Sequence, residues 1–224
     1  MNESKRTIRV TGRGKLSVRP DTVRLIITQT EREKAYDDAV KASTKQKKAL
    51  TDAIAGQGFK REDLKTLSFD VHAEYEGYEA EDKSWKQRLV GYRYTHRMKL
   101  EFPSDNERLG RVITLLASCG GAPEFTIQYT IADQEKAKNG LLTKAVEDSK
   151  AKAEVLSAAA GVKLGEIVTI DYSWGEGDIV SPPMRNMALR ECKASGAMDN
   201  GIAFDIEADD IDITDTVTVV WSLK

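Results

Sequence analysis

The sequence is poor in the residues that metal and redox sites most often use. Its 224 residues include two histidines and two cysteines. Cys119 and Cys192 stand alone, and without a Cys-x-x-Cys pair the sequence gives no sign of a zinc or thioredoxin-like site. Both are expected to be reduced thiols, although a disulfide between them stays open.

The chain also lacks an excess of charge of either sign and a long apolar run. Its 34 Lys and Arg against 36 Asp and Glu give a net charge of −2, which offers no general attraction to nucleic acid or to an anionic membrane. No apolar signal core precedes the first strand pattern, and no later apolar run is long enough to span a bilayer. The sequence as given therefore predicts a cytoplasmic protein with no nucleic-acid partner and no membrane span.

What the sequence does contain is clean alternation of apolar and polar residues, which is typical of strands with one buried face. Beyond the N-terminal strands, further strands are predicted around residues 23–27, 67–75, 90–102, 125–131, 168–174 and 217–223. The segments Leu67–Tyr75 and Val90–Phe102 are predicted to pair as a long antiparallel hairpin with an acidic tip from Glu76 to Lys86. One-faced strands of this kind favour an antiparallel sheet with helices on one side.

Three helices are predicted between these strands. The first runs from about Glu33 to Ala55, and the second begins with the capping box Ser104-x-x-Glu107. The third starts at the N-cap Asp133, ends at Gly161 and carries a face of small residues suited to close packing. The predicted fold is α+β, a mostly antiparallel sheet with helices packed on one face, in the order β-β-α-β-β-α-β-α-β-β.

Gly12 and Gly14 lie in the segment that leads to Pro20-Asp21, and they permit two interpretations. A phosphate-binding loop would need a further glycine and a following helix, or a Gly-Lys-Ser/Thr sequence, and neither is present. The better interpretation is that these glycines allow a kink, bulge or tight turn between strands.

No set of residues in the sequence has the spacing of a catalytic or metal site. His96 falls on the apolar face of its strand and His72 on the polar face of its own, so a shared metal site is disfavoured. A hydrogen-bonded, partly buried His96 is favoured over a metal ligand or a general base. The aromatics Tyr92 and Tyr94 are interpreted as core residues rather than as a nucleic-acid platform. An acidic run lacks the EF-hand spacing and is interpreted as a solvated strand edge; it comprises Asp205, Glu207, Asp209, Asp210, Asp212 and Asp215. We therefore predict no catalytic, cofactor-binding or metal-binding residues, and no enzyme.

Residues 175–201 are predicted to form a long flexible loop, because they contain glycine, a Pro-Pro pair and no sustained period. Four adaptable apolar residues in this loop are candidate interface residues: Met184, Met187, Leu189 and Met198. Together with the thin apolar stripe of the first helix, they predict a homo-oligomer with the loop or a sheet edge at its interface.

Several short motifs in this order resemble the SIMPL-domain family. The likeness lies in Ile8-x-Val10-x-Gly12-x-Gly14 leading to Pro20-Asp21, in Gly91-Tyr92, in the segment from Ala137 to Gly165, and in the closing Val217-x-Val219-x-Trp221. The signature residues are Gly12, Gly14, Pro20, Asp21, Gly91 and Tyr92. The resemblance spans nearly the whole chain and implies one domain over residues 1–224, with room for two sub-modules.

The resemblance implies an α+β fold and a limited set of functions. Some bacterial relatives are exported antigens, some are linked to oxidative-stress defence, some assemble into rings, and an animal relative is the partner of a signalling kinase. We therefore expect a non-enzymatic assembly or binding protein that supports oxidative-stress tolerance. The alternatives are an adaptor that signals through a protein partner and an enzyme that uses a carboxylate or His96 in a cleft.

Overall fold

A computed structural model of the chain describes residues 6–120, 123–172, 178–185 and 207–224. The strands are β1 (Thr7–Val18), β2 (Thr22–Glu33), β3 (Lys65–Glu79), β4 (Trp85–Pro103), β5 (Glu124–Thr130), β6 (Leu164–Asp171), β7 (Met184–Arg185) and β8 (Ile211–Leu223). The helices are α1 (Tyr36–Ala55), α2 (Asn106–Ser118) and α3 (Gln134–Ala159), with a 3₁₀ turn at Arg61–Asp63. The predicted α+β class and element order are confirmed. No helix among these residues is long and apolar enough to cross a membrane.

The described strands form two antiparallel sheets, a division that the sequence did not predict. One sheet has the order β1-β8-β6 and the other the order β3-β4-β2-β5-β7. The chain correspondingly forms two compact units. Unit 1 comprises residues 1–20, 130–181 and 208–224, and unit 2 comprises residues 21–129 and 182–207.

Unit 1 is built from α3 packed on the sheet of β1, β8 and β6. The buried positions of α3 recur at every fourth residue: Ala137, Leu141, Ala145, Ser149, Ala153 and Ser157. This ridge of mostly small side chains lets the helix lie close to β1. Leu156 is 50% exposed because it lies one position off this ridge.

Gly12 and Gly14 lie where this ridge meets β1, and they form neither a kink nor a turn. β1 is one continuous strand that pairs with β8 from Thr7 to Val18. A Cβ on Gly12 would lie 1.9 Å from the carbonyl oxygen of Ala145, and a Cβ on Gly14 would lie 2.2 Å from that of Leu141. The predicted kink is therefore wrong, since the glycines serve the close approach of a helix.

Unit 2 packs α1 and α2 over a sheet whose centre is β4 and β2. Inward-facing residues of both strands are fully buried with the apolar side of α2, among them Leu25, Ile27, Tyr94, Met98, Leu100, Leu109, Val112 and Ile113. α1 begins at Tyr36 and not at Glu33, because β2 continues to Glu33. α2 is capped by Asp105, whose side chain accepts bonds from the backbone N–H groups of Glu107 and Arg108. The predicted Ser104 capping box is therefore wrong by one residue.

Candidate functional site

The hairpin of β3 and β4 reaches past the neighbouring strand. β2 pairs with β4 as far as Glu33, which lies opposite Tyr92. Beyond that point β3 and β4 continue to pair with each other up to Glu79 and Trp85. The predicted hairpin is confirmed, but its acidic segment from Glu76 to Lys86 belongs mostly to the strands, because the connecting turn spans only residues 80–84. We call residues 75–89 the hairpin arm.

One face of the hairpin arm carries an uncovered apolar strip. Tyr75 pairs with Leu89 and Glu79 with Trp85, so these side chains project to the same side of the ribbon. The exposed fractions are 60% for Tyr75, 46% for Leu89 and 78% for Trp85. We call these three residues the arm strip.

The arm strip continues the sheet face that α1 covers. Ala73 pairs with Tyr92, and Tyr75 follows Ala73 by two residues on the same side of β3. The ring of Tyr36, the first residue of α1, lies edge-on to the ring of Tyr92 at 5.9 Å. Among the described helices, cover therefore ends at Tyr92, and the apolar face of the sheet continues beyond it.

Polar side chains tie the two strands of the arm together. Arg88 pairs with Glu76, Lys86 with Asp82 at 3.3 Å, and Arg88 also lies over the ring of Tyr78 at 5.6 Å. These groups are exposed, so each pair adds little stability in water. The Arg88 contacts join β4 to β3, whereas the Lys86 contact joins β4 to the connecting turn.

Gly91, a signature residue, lies inside β4 at the base of the arm. The register of the hairpin shifts there, because Glu74 pairs with Gly91 whereas Tyr75 pairs with Leu89. A Cβ on Gly91 would lie 2.5 Å from the carbonyl oxygen of Glu33. Glycine is therefore needed where the end of β2 approaches this bulge.

The signature pair Pro20 and Asp21 lies at the step from β1 to β2. Pro20 is buried, and Asp21 is exposed. The Asp21 carbonyl accepts a bond of 2.7 Å from the backbone N–H of Ser104, and its carboxylate accepts one of 2.8 Å from the Thr22 hydroxyl. Asp21 therefore anchors the start of β2 to the segment that follows β4.

His96 is buried and hydrogen-bonded on both ring nitrogens. Nδ1 lies 3.1 Å from the Ser43 hydroxyl of α1, and Nε2 lies 2.9 Å from the Thr66 hydroxyl of β3. Burial lowers the pKa of His96, and the charge of Lys47 lowers it further. These bonds give His96 a structural role that joins α1 to the sheet, where the sequence predicted only that it would be hydrogen-bonded and partly buried.

Asp70 and Asp171 are the two carboxylates that an enzyme hypothesis would combine with His96. Asp70 is exposed and follows Phe69, whose ring contacts His96 at 5.3 Å, so Asp70 projects to the other face of β3. Asp171 belongs to unit 1, where it forms a salt bridge of 3.6 Å with Arg9. His72 is exposed on β3.

Cys119, a free thiol, lies at the C-terminal end of α2. Cys119 is the C-cap residue of α2 and is half-buried. Burial raises the pKa of the Cys119 thiol, which lowers the fraction of reactive thiolate at neutral pH. Cys192 lies outside the described residues.

Asp212 and Asp215 of the acidic run lie on β8, the central strand of its sheet, so the interpretation of this part of the run as a strand edge is wrong. Asp212 accepts a bond of 2.6 Å from the Ser17 hydroxyl, and Asp215 accepts one of 3.0 Å from Tyr172. Within the described ranges, no three acidic, His or Cys residues converge as metal ligands would. Asp205 lies outside those ranges.

The interface candidates taken from residues 175–201 fall mostly outside the described residues. Met187, Leu189 and Met198 are in that part of the chain. Met184 lies in β7 and is 36% exposed. β7 pairs with β5, and Val180 forms a bridge with Thr130.

Sequence reasoning missed the arm strip. The signal was present in the sequence, since Tyr75 precedes the acidic segment, Trp85 lies near its end and Leu89 follows it. Alternation shows that such residues share a face, but it does not show that α1 stops short of them.

The chain is similar to a protein family and to two named bacterial proteins. The model of the SIMPL family, described as "Protein of unknown function (DUF541)", matches residues 8–221. A 26 kDa periplasmic immunogenic protein of Brucella abortus (strain S19) is 25% identical over 223 residues, which are 97% of this chain and 84% of the relative. The protein of the same name from Brucella melitensis biotype 1 gives the same values.

These relatives overturn one prediction from the sequence. A cytoplasmic location was predicted from the lack of a recognisable apolar signal core in the sequence. Both relatives are named as periplasmic proteins, so the cytoplasmic assignment is wrong.

Proposed function

Because the chain belongs to the SIMPL family, we propose that it is a periplasmic protein that acts by assembling with copies of itself rather than by catalysis. The periplasmic part of the proposal is supported by the names of both Brucella relatives. Osmotic shock of the native host should release the protein with the periplasmic fraction. Recovery in the cytoplasmic fraction would contradict this part of the proposal.

The observation that carries the assembly proposal is the arm strip. Tyr75, Trp85 and Leu89 are large, apolar and exposed on one face of a two-stranded ribbon. Isolated two-stranded ribbons are marginally stable in water, and clustered exposed apolar residues mark interaction surfaces. Covering this strip would therefore both bury apolar surface and stabilise the arm.

A second copy of the chain suits this surface because the arm offers two complementary features at once. β3 is an edge strand of its sheet among the described strands, and edge strands offer backbone groups for pairing. A twofold axis beside β3 would bring the same edge and the same strip of two copies together. Met184 is a further candidate contact. Support of oxidative-stress tolerance, which the family resemblance implied, stays a prediction.

Light scattering coupled to size-exclusion chromatography tests the proposal. The native protein should elute at a multiple of 24.8 kDa. The double variant Tyr75→Ser, Trp85→Ser should shift the mass to 24.8 kDa at the same micromolar concentration, with an unchanged circular dichroism spectrum.

Val155→Ser is the matched control, because Val155 is 68% exposed but lies on α3 of unit 1. It should leave the mass unchanged. A native monomer, or an oligomer that survives the double variant, would contradict assembly through the arm. A monomer whose arm captures a host protein would favour the adaptor alternative.

A further inference from the structure

The sheet of unit 2 has a side that the assembly proposal does not use. Along β2 and β4, residues buried beneath the helices alternate with residues that face the other way. We call this other side of the sheet, over residues 24–32, 65–74 and 93–101, the far face. It carries six cationic residues, Arg24, Arg32, Lys65, Arg93, Arg97 and Lys99, and three carboxylates, Asp70, Glu74 and Glu101. The far face is therefore positively charged, although the whole chain has a net charge of −2.

Two cross-strand pairs on the far face place cations opposite each other. Arg32 of β2 lies opposite Arg93 of β4, and Lys65 of β3 lies opposite Lys99 of β4. Like charges directly opposite each other destabilise a sheet. The Glu74 carboxylate relieves the first pair in part, since it contacts both Arg93 and, at 3.7 Å, Arg32. An anion that lies across β4 would relieve both pairs.

The carboxylates of the far face leave some of its cations without a partner of opposite charge. Glu101 contacts Arg24 at 2.6 Å and Lys99 at 3.0 Å, so one carboxylate serves two cations. Arg97 lies on β4 between Lys99 and Arg93 and is exposed. It forms no ion pair with any residue that the structure describes. The excess of positive charge therefore lies on β4.

The accessible cations follow β4. Arg93, Arg97 and Lys99 share one side of this strand, and Arg32 lies beside Arg93. The side chains of Arg93 and Arg32 are 45% and 54% exposed. We call these four residues the cationic row. From Arg93 to Lys99 the row follows the strand for about 20 Å, at about 3.3 Å per residue.

Phosphate is the anion that suits such a row. Guanidinium groups bind phosphate oxygens through paired N–H donors, and threonine hydroxyls donate to the same oxygens. Thr28 lies opposite Arg97, and Thr95 lies two residues before Arg97 on the same side of β4. We propose that the cationic row binds a linear chain of phosphate groups that lies along β4.

The arrangement of charges favours a phosphate chain over a bilayer surface and over single-stranded nucleic acid. Asp70 and Glu74 lie on β3 beside the row, where a flat anionic bilayer would meet them, whereas a narrow chain along β4 would not. Proteins bind single-stranded nucleic acid through aromatic platforms as well as through charge. Tyr92 and Tyr94 of β4 project to the side of the sheet that α1 covers, so they offer no platform beside the row.

Isothermal titration calorimetry with long-chain sodium polyphosphate as the probe tests the proposal on the full chain. Polyphosphate should bind saturably. Orthophosphate should bind at least tenfold more weakly, because it reaches only one part of the row at a time. Raising the NaCl concentration from about 50 to about 200 mM should weaken polyphosphate binding about tenfold or more. No saturable binding of polyphosphate, or an affinity that does not depend on salt, would overturn the proposal.

Single substitutions on the far face locate the site. Arg97→Gln should weaken polyphosphate binding about tenfold, the loss expected for one charge-assisted hydrogen bond. Arg97→Lys keeps the charge without the planar fork, so its loss should be smaller. Asp70→Asn should strengthen binding several-fold, because it removes a carboxylate beside the row.

Arg111→Gln is the matched control, since Arg111 is an exposed arginine on α2, on the helix side of the sheet. It should leave the affinity unchanged. An equal loss in Arg111→Gln and Arg97→Gln would overturn the assignment of the site, and so would weaker binding in Asp70→Asn.

Two further probes at matched phosphate concentration test the kind of partner. Phosphatidylglycerol vesicles should not sediment the protein where polyphosphate saturates it, and a thymidine oligonucleotide should bind no more tightly than polyphosphate. Sedimentation with the vesicles, or tighter binding of the oligonucleotide, would overturn the choice of a phosphate chain. Polyphosphate should also bind the double variant Tyr75→Ser, Trp85→Ser, so the test separates this proposal from the assembly proposal.

Discussion

At the scale of single residues, His96 shows how one buried polar side chain joins several elements. It lies on β4, bonds Ser43 on α1 and Thr66 on β3, and contacts the ring of Phe69. With both ring nitrogens bonded to hydroxyl groups, the neutral imidazole is satisfied in its buried position. Protonation would place a charge there.

The lowered pKa of His96 predicts how the stability of the protein depends on pH. The folded pKa lies below the unfolded value of about 6.5, so the unfolded state takes up the proton first as pH falls. The stability that the neutral His96 contributes is therefore fully present above a pH of about 6.5. It is lost as the pH falls from that value through the folded pKa of His96.

Urea unfolding between pH 7.5 and 5.5 measures this dependence. The free energy of unfolding of the native protein should decrease as the pH is lowered from 7.5 to 5.5. This decrease should be smaller in His96→Gln. His72→Gln removes an exposed histidine and should keep the native pH dependence. An unchanged slope in His96→Gln would show that another group carries the effect.

At the scale of elements, helix ends and helix faces were the features that sequence reasoning placed least well. The capping box at Ser104 matched a known pattern, but the backbone turns into the helix one residue later, at Asp105. The residue that caps the helix is the one whose side chain bonds the first free backbone N–H groups. Which residue this is depends on the position of the backbone at the end of β4.

Alanine substitutions distinguish the two caps of α2. Asp105→Ala should lower the free energy of unfolding by about 1 kcal/mol, because two backbone N–H groups lose their acceptor. Ser104→Ala should have little effect, since Ser104 is exposed outside the helix. Chemical denaturation measures both, and an equal loss in the two variants would contradict the assignment of the cap.

The contact between α3 and β1 depends on the absence of a side chain at Gly12. Gly12→Ala should destabilise the protein by about 3 kcal/mol, at the upper end for overpacking, because its Cβ would meet the backbone of α3. Gly140→Ala is the control, because Gly140 lies on α3 itself and an added Cβ there has open space. It should stabilise the protein by about 0.5–1 kcal/mol through helix propensity. Thermal denaturation shows both, and a neutral Gly12→Ala would mean that the helix lies farther from the strand.

At the scale of the whole molecule, the sequence of unit 2 is inserted into the sequence of unit 1. β1 and β8 come from opposite ends of the sequence and pair along their full length in unit 1. Residues 21–129 of unit 2 form one continuous segment between β1 and α3. Each unit has its own sheet and its own buried cluster.

Hydrogen exchange resolves the stability of the two units. Gly12→Ala should speed the exchange of amides in β1 and β8, because the substitution disturbs the packing of α3 on them. Amides of β2 and β4, which belong to unit 2, should keep most of their protection. A uniform loss of protection across all four strands would show that the units unfold together.

Local sequence patterns predicted the α+β class, the element order, the antiparallel hairpin and a hydrogen-bonded His96. These follow from local patterns, since alternation marks a strand face and Asp133 marks a helix start. The tertiary structure decided the division into two sheets, the role of Gly12 and Gly14, and the exposure of the arm strip. Each of these depends on which elements meet and where a helix stops covering a sheet, and contacts between residues far apart in sequence leave no local periodicity to read.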